Sequence, residues 1–156
     1  MKKITLTFFS LIFGLLVFAQ QYSGKAALSP NEKLNDKYCS GLFKSCDGTI
    51  IDLSQDNRSA SGYLNILNYL NGHVAGLQIY YARDKTPVPF IRNQKASIFV
   101  DETPVDAGYL KDLQVDDIAM VKIIKGPFAG AVGNGGGGVI AIYTIKGDDE
   151  GDDSDE

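Results

Sequence analysis

The segment at residues 139–145 constrains the fold of this chain more than any other. Its seven residues are all apolar, aromatic or β-branched, and no charged residue interrupts them. Such a run is typical of a β-strand buried on both faces, because a strand with one solvated face alternates apolar and polar residues. This strand carries the strongest β signal in the chain.

The rest of the chain mixes short strand patterns with short helical ones. A helix is predicted between a serine cap at position 59 or 61 and a stop signal at 71–72, because leucines recur there at helical spacing. Residues 106–118 are predicted to be partly helical, with Leu110 and Leu113 facing inward. Strands or extended segments are predicted at 49–53, 77–80, 88–92, 96–100 and 119–125. The predicted fold class is α+β, a small mixed β-sheet with short helices.

The amino-terminal residues indicate export. Lys2 and Lys3 precede an apolar run from residue 4 to residue 18, and Ala19 supplies a small residue before a cleavage at Gln20. This pattern predicts a signal peptide over residues 1–19. A membrane anchor is the alternative, but this largely apolar run of fifteen residues falls short of the roughly 20 that span a bilayer. The mature protein is therefore expected in the periplasm, without a direct membrane span.

An extended N-terminal arm is predicted over residues 20–60, because its apolar residues are too scattered for helical or strand periodicity. Cys39 and Cys46 are the only cysteines of the chain. In an oxidising compartment this pair favours a small disulfide-closed loop around Gly41. Metal binding is the alternative, but two thiols and one histidine make a poor zinc set. A Cys39–Cys46 disulfide and no metal or cofactor are therefore predicted.

The negative charge of the chain is concentrated at its C-terminus. Seven of the nineteen acidic residues lie within 148–156, whereas the body of the chain is nearly neutral. Such a block is typical of a solvated, disordered tail, with weak cation binding or attraction to a basic partner as alternatives. Nucleic-acid binding is not expected, because the chain has no basic stripe.

A glycine-rich loop at residues 126–138 raises the question of phosphate binding. Backbone amides in such loops approach phosphates closely. Here no Gly-Lys-Ser or Gly-Lys-Thr follows, and the loop leads into a strand where a phosphate loop would open a helix. The glycines are therefore interpreted as turn residues that tolerate positive φ.

Patterns typical of catalytic residues are missing. His73, the only histidine, lies at a predicted helix end, where a surface or capping role is expected. The carboxylate pairs at 101–102 and 116–117 flank predicted elements, and acids there commonly turn the chain or cap a helix. There is no Gly-x-Ser-x-Gly elbow and no free thiol beside a base. We therefore expect a protein that is not an enzyme.

From residue 63 to residue 147 the sequence resembles the plug domain of TonB-dependent outer-membrane receptors, especially the SusC-like nutrient importers. Residues 70–79 resemble that family's leucine-containing helix leading into Gly-x-Val-Ala-Gly and a strand, and 89–93 stand where the family has Ile-Arg-Gly. The strand before Asp101 keeps the family's aspartate, but Glu102 replaces its glycine. The closing run follows the family's order in four blocks, at 116–118, 121–127, 131–133 and 138–147.

The resemblance implies a plug-like domain over residues 61–147 that occupies or caps the lumen of an outer-membrane β-barrel. In the family the barrel follows the last plug strand, whereas here an acidic segment follows Gly147. The first hypothesis is a periplasmic plug subunit that seals or gates a separately encoded barrel, either a SusC-like importer or a protein-secretion translocon. The second is a periplasmic adaptor or ligand-binding domain that reuses the plug scaffold.

Partner contacts are expected from loops at one end of the sheet, because loops place contact residues on a rigid scaffold. Arg92 and Asp101 are the leading candidates, since they match the family's Arg and Asp positions. An internal salt bridge or a turn contact is the alternative for both. The other predicted contact residues are Glu102, Gly126, Pro127, Phe128 and Asn134.

Overall fold

The computed structural model describes residues 28–54, 59–126, 131–132 and 136–146. The predicted signal peptide at 1–19, the acidic tail at 148–156 and the candidate contacts Pro127, Phe128 and Asn134 lie outside these residues. The helices are α1 (Pro30–Tyr38), α2 (Ile66–His73) and the 3-10 turns η1 (Tyr109–Lys111) and η2 (Val115–Asp117). The strands are β1 (Thr49–Asp52), β2 (Leu77–Tyr81), β3 (Pro87–Ile91), β4 (Gln94–Lys95), β5 (Ser97–Val100), β6 (Thr103–Val105), β7 (Ile118–Ile124) and β8 (Val139–Thr144).

Five strands form a mixed central sheet in the order β1-β7-β8-β5-β6. β8 runs parallel to β5 and antiparallel to β7, so the strand with the strongest sequence signal lies in the middle. All seven residues of β7 and the first five of β8 are buried. The prediction of a strand buried on both faces is confirmed.

Separate layers cover the two faces of the central sheet. On one face, Ile98, Val121 and Ile142 pack in a core that includes α2, β2, Ile91 and η1. On the other face, Phe99, Met120 and Tyr143 pack beneath α1 and the loop that follows it. Phe43 of that loop meets Phe99 edge to face, with 4.9 Å between ring centroids. Apolar burial on both sides accounts for the almost continuous apolar sequence of these strands, because neither face is left to solvent.

The second sheet is a small antiparallel one in the order β2-β3-β4. Pro87, Pro89 and Ile91 on β3 are buried, whereas Val88 and Phe90 are only partly buried. This alternation places one face of the small sheet against the core and leaves the other largely exposed. The sequence predicted β2 and β3, but it did not predict that they form a separate sheet.

Helix α1 corrects the expectation of an extended arm. Ser29 accepts a hydrogen bond from the Glu32 amide while the Glu32 carboxylate accepts one from the Ser29 amide, which is a capping box with Pro30 at the first helical position. These local signals start a helix even though few apolar residues mark its buried side. Residues 30–38 are therefore helical, and they pack on the sheet with Leu34 and Tyr38.

Helix α2 begins later than the sequence predicted. Asn65 caps it, because its side-chain oxygen accepts the Leu67 amide at 2.9 Å. Leu64, which was expected inside the helix, is 96% exposed in the turn before it. The helix also continues through Gly72 and ends at His73. A stronger cap at Asn65 and packing of Ile66, Leu67 and Leu70 override the serine caps.

Candidate functional site

Arg92 and Asp101, the two leading candidates, lie in matching hairpin turns. The turn between β3 and β4 consists of Arg92 and Asn93, with φ of 54° and 63°, and the turn between β5 and β6 consists of Asp101 and Glu102, with φ of 46° and 66°. Positive φ at both central residues is the signature of the type I′ turn, whose twist matches that of paired strands. The β6 strand and its hairpin were not predicted.

These two turns lie at opposite ends of the central sheet. Asp101 follows β5 at the end where Thr144 closes β8. Arg92 reaches the other end, where its Nη1 donates to the carbonyl of Lys125 at 3.3 Å, just after the last residue of β7. The expectation that the candidate contacts share one end is wrong, because the parallel pairing of β5 with β8 separates them by the length of a strand.

The Arg92 end of the sheet is positively charged. The Nζ of Lys125 donates to the Ala75 carbonyl at 2.6 Å, so both cations are held by neutral oxygens. Neither cation has a carboxylate within 4 Å among the described residues. They line a shallow hollow of about 670 Å³ together with Asp47 and the exposed Gly126. With respect to the described residues, the Arg92 side chain uses one of its five donors, so this end retains capacity to bind an anionic group.

The glycine-rich loop enters β8 at this same end, and its last glycines are required by geometry. A Cβ on Gly137 would lie 2.2 Å from the carbonyl oxygen of Gln94, and Gly138 has a φ of +141°. Close backbone approach and left-handed geometry both exclude ordinary side chains. The interpretation of these two glycines as turn residues agrees with the structure.

Asp101 is occupied by an internal contact. One carboxylate oxygen accepts the Thr144 amide at 3.0 Å and the other accepts the Thr144 hydroxyl at 2.7 Å. The Asp101 amide in turn donates to the Ile142 carbonyl at 2.9 Å. Asp101 is therefore engaged inside the chain by a contact to a distant strand, which is neither a salt bridge nor a contact within its own turn.

Glu102 holds the loop after α1. Its two carboxylate oxygens accept the amides of Gly41 and Leu42, at 2.8 Å and 3.0 Å. The Tyr143 hydroxyl lies 3.5 Å from the same carboxylate. A carboxylate that receives two adjacent backbone amides forms a charge-assisted clamp. Replacement of the family's glycine by Glu102 therefore adds a contact between the sheet and the N-terminal segment.

Lys122 makes a second anchor, which sequence analysis missed. It lies in the middle of β7 with 2% of its surface exposed. Its Nζ donates to Asn35 Oδ1 at 2.6 Å and to the Phe43 carbonyl at 2.7 Å, and a third oxygen, that of Lys44, lies at 3.5 Å. A buried ammonium needs such partners, because losing water costs several kcal/mol. The available signal was one lysine inside an otherwise apolar strand.

The two thiols are free, so the predicted disulfide is not formed in the structure. Cys39 is buried, and burial raises its pKa while a hydrogen bond with Tyr143 partly opposes this. Burial likewise raises the pKa of the Tyr143 hydroxyl. Cys46 points elsewhere and donates to the Leu42 carbonyl at 3.7 Å. The sheet surface and the loop backbone engage the thiols separately, which explains why proximity in sequence does not join them.

His73 has the capping role that the sequence suggested. Its ring stacks on Tyr69 with 4.0 Å between centroids, and its Nδ1 lies 2.7 Å from the Tyr69 carbonyl.

In the described part of the chain, no group of three His, Cys, Asp or Glu side chains is arranged to hold a metal ion. Over the same residues, no helix has the length and apolarity that crossing a membrane requires.

Solved structures give a fold match. The siderophore receptor PirA from Acinetobacter baumannii matches with a TM-score of 0.52 and 17% identity, over 77% of this chain and 19% of the receptor. A variant of the ferric enterobactin receptor PfeA from Pseudomonas aeruginosa scores 0.49 at 17% identity, over 77% and 19%. The RagAB peptide importer scores 0.48 at 22% identity, over 64% and 12%. No protein-family model and no curated protein matches the chain.

At 17% identity, the match to PirA shows a shared fold and nothing finer. This chain spans between 12% and 19% of the length of the proteins that it matches. The α+β, plug-like fold class that the sequence predicted is confirmed. The matched proteins are two receptors and a peptide importer by name.

Proposed function

We propose that this chain is a non-enzymatic periplasmic plug subunit that seals or gates a separately encoded outer-membrane β-barrel, in a nutrient importer or a protein-secretion translocon. The observation that carries the proposal is the plug-like fold, which part of the siderophore receptor PirA shares. A plug acts by filling a wet lumen, so polar loops on a rigid sheet suit the task better than a catalytic centre.

A second observation supports a plug that folds before it meets its barrel. Both faces of the central sheet are covered by residues of this chain, through α2 on one side and α1 on the other. No buried side-chain polar atom among the described residues lacks a hydrogen-bond partner. A domain with a complete core does not need the barrel wall to bury its apolar surface.

We assign the barrel contact to the Arg92 end of the sheet. Arg92 and Lys125 have no acidic partner within 4 Å in the described ranges, so they are available to carboxylates of a lumen wall. Gly126 lies exposed beside them, and Pro127, Phe128 and Asn134 belong to the same loop in sequence. Asp101 and Glu102 are not assigned to this contact, because they lie at the opposite end of the sheet and their carboxylates are engaged within the chain.

The test is capture of the partner from the native cell envelope. The full chain, carrying a C-terminal tag, is crosslinked briefly, extracted in mild detergent and purified, and stoichiometric recovery of one outer-membrane barrel is expected. Arg92→Glu is expected to lower that recovery at least about tenfold, since it places like charges opposite the acidic wall. Lys33→Glu on the exposed side of α1 is the matched control and should leave recovery unchanged.

Recovery of soluble periplasmic proteins alone would overturn the plug proposal. Equal loss of recovery in Arg92→Glu and Lys33→Glu would instead contradict the assignment of the contact to the Arg92 end. Neither side chain is buried, so both variants are expected to fold. Circular dichroism of each variant checks this and so distinguishes a lost contact from a lost fold.

A ligand-binding role is the second candidate, and one feature favours it. An open cleft of about 640 Å³ lies between the two sheets, with Lys95 and Asp106 among its lining residues. This volume falls in the range of small-molecule sites, and opposite charges suit a zwitterionic ligand. Thermal stabilisation by free amino acids or dipeptides, abolished in Asp106→Asn, is the result that would support this role.

A further inference from the structure

Strand β2 forms an open edge of the small sheet. It pairs with β3 on one side, in a register that sets Ile79 opposite Pro89 and Tyr81 opposite Pro87. The order β2-β3-β4 leaves its other side without a strand from the described part of the chain. The backbone groups on that outer side are therefore not paired by a strand of the described residues.

The prolines of β3 determine which backbone groups point outward. The Pro89 carbonyl accepts the Ala96 amide at 2.9 Å, so it faces away from β2. In an antiparallel pair, opposite residues are either both bonded to each other or both turned away. Ile79 and Tyr81 must then direct their N–H and C=O groups to the free edge. Bonds of Ala82 to Thr86 and of Arg92 to Gly76 fit the same alternation.

The outer side of β2 is accessible and unprotected. No backbone hydrogen bond joins Ile79 or Tyr81 on that side to another element of the described chain. Tyr80 and Tyr81 are 53% and 62% exposed, one on each face of the strand. Natural edge strands are usually blocked by proline or an inward charge, and Pro104 on β6 is such a block. The sequence of β2, Leu-Gln-Ile-Tyr-Tyr, contains neither.

The turn that follows β2 is positively charged. Arg83 and Lys85 are exposed, and neither has a carboxylate within 4 Å in the described ranges. Asp84 between them is engaged by Thr86 and lies 3.9 Å from Lys111. Its hydrogen bonds with Thr86 lower its pKa, so it stays ionised without neutralising both neighbours. An acidic residue would complement this end of the edge.

We propose that β2 is a docking site for an extended segment of a partner protein, which adds as an antiparallel strand and places acidic residues beside Arg83 and Lys85. The backbone of the segment would form hydrogen bonds with Ile79 and Tyr81. Its side chains would contact the two exposed tyrosine rings, and such contacts do not require one particular partner sequence. The acidic segment at 148–156 of a second copy is a poor occupant, because Asp and Gly disfavour strands. This proposal does not depend on the identity of a barrel.

The probe is a capped seven-residue peptide, Asp-Asp-Thr-Val-Thr-Val-Thr, titrated into the ¹⁵N-labelled full chain. In the free protein, the amides of Ile79 and Tyr81 are expected to exchange quickly, whereas Gln78 and Tyr80 are protected by β3. Peptide binding is expected to slow exchange of Ile79 and Tyr81 at least about tenfold. Replacing both aspartates of the peptide by lysine should weaken binding several-fold, and added salt should reduce the difference.

Tyr81→Pro removes the outward amide without removing a bond to β3, because residue 81 lies at a non-bonded position of that pair. Tyr81→Thr is the matched control, since it also loses the ring and its bond to Asn68 but keeps the amide. The proline variant is expected to bind the peptide about two- to tenfold more weakly than the threonine variant, since it loses one hydrogen bond. A peptide N-methylated at the alternate residues whose amides face β2 should fail to bind the unmodified protein.

Three outcomes would overturn the proposal. They are equal affinity of the two Tyr81 variants, equal binding of the N-methylated peptide, and no binding of the acidic peptide at about 1 mM, where even a few strand hydrogen bonds should register. Because every measurement uses the isolated chain, failure here leaves the plug proposal standing, and absence of a barrel leaves this one standing.

Discussion

Replacing Glu102 with glycine relieves backbone strain but removes two hydrogen bonds, so the two effects on stability have opposite signs. Glu102 has a φ of 66°, a conformation that strains a side chain but not glycine. The same side chain accepts the amides of Gly41 and Leu42. Asn93 occupies the equivalent turn position with a φ of 63°, and its side chain makes no hydrogen bond among the described residues. Asn93→Gly therefore serves as the matched control.

The magnitudes predict a clear loss of stability for Glu102→Gly and almost none for Asn93→Gly. Relief of left-handed strain contributes about 1 to 2 kcal/mol, and the greater freedom of glycine in the unfolded chain takes back about 0.4 to 1. Loss of two charge-assisted bonds from a half-buried carboxylate costs about 2 to 4 kcal/mol in total. Glu102→Gly should then lower the free energy of unfolding by about 1 to 3 kcal/mol. Asparagine tolerates this conformation well, so Asn93→Gly should stay within about 0.5 kcal/mol of the unmodified protein.

Urea denaturation of both variants, followed by far-ultraviolet circular dichroism, measures the difference. Hydrogen exchange at Gly41 and Leu42 gives an independent reading of the clamp, and both amides should exchange faster in Glu102→Gly alone. If Glu102→Gly proved more stable than the unmodified protein, relief of strain would outweigh the clamp and the assigned role of Glu102 would be wrong.

Three further predictions concern the N-terminal layer, which is α1 with the loop that follows it, and the residues that anchor this layer to the sheet. Lys122→Met is expected to lower the free energy of unfolding by about 1 to 3 kcal/mol, because the Phe43 carbonyl loses its buried donor; a more stable variant in urea denaturation would show that desolvation of the ammonium outweighs its bonds. Without reductant, Ellman's reagent should detect two free thiols in the denatured protein. In the folded protein, Cys46 should be alkylated before the buried Cys39. Detection of no free thiol would show that the Cys39–Cys46 disulfide forms. Since Cys39 and Tyr143 have raised pKa values when folded, their contribution to stability should be complete below pH 9.0, the ordinary pKa of the thiol, and should decline as the pH rises; urea midpoints that stay constant from pH 8 to pH 11 would contradict it.

The sequence was sufficient for the strands with long apolar runs. β7 and β8 were predicted because burial of both faces leaves a nearly continuous apolar pattern, interrupted only by Lys122 in β7. Helix α1 was missed because its signal is a capping box at Ser29 and Glu32 and not a periodic apolar face. Strands β4 and β6 have two and three residues, which is too short for any alternation to show.

The candidate site was predicted less well, because it depends on topology. Arg92 and Asp101 were expected together, and the parallel pairing of β5 with β8 puts them at opposite ends of the sheet. No local pattern carries that information, since strand order depends on contacts between distant residues. The anchoring role of Lys122 has the same origin, because its acceptors lie 87 and 79 positions earlier in the chain.

The distance in sequence between the N-terminal layer and its anchors bears on the order of folding. Gly41 meets Glu102 across 61 positions, so the segment around Gly41 has no docking surface until the later strands exist. Contacts of such high contact order form late, because their loop-closure entropy must be overcome first. The apolar face around Phe99 and Tyr143 is therefore expected to stay uncovered during synthesis, which gives a general chaperone a period in which to bind. Pulse-labelled hydrogen exchange during refolding would show this as late protection of Gly41, after the amides of β7 and β8.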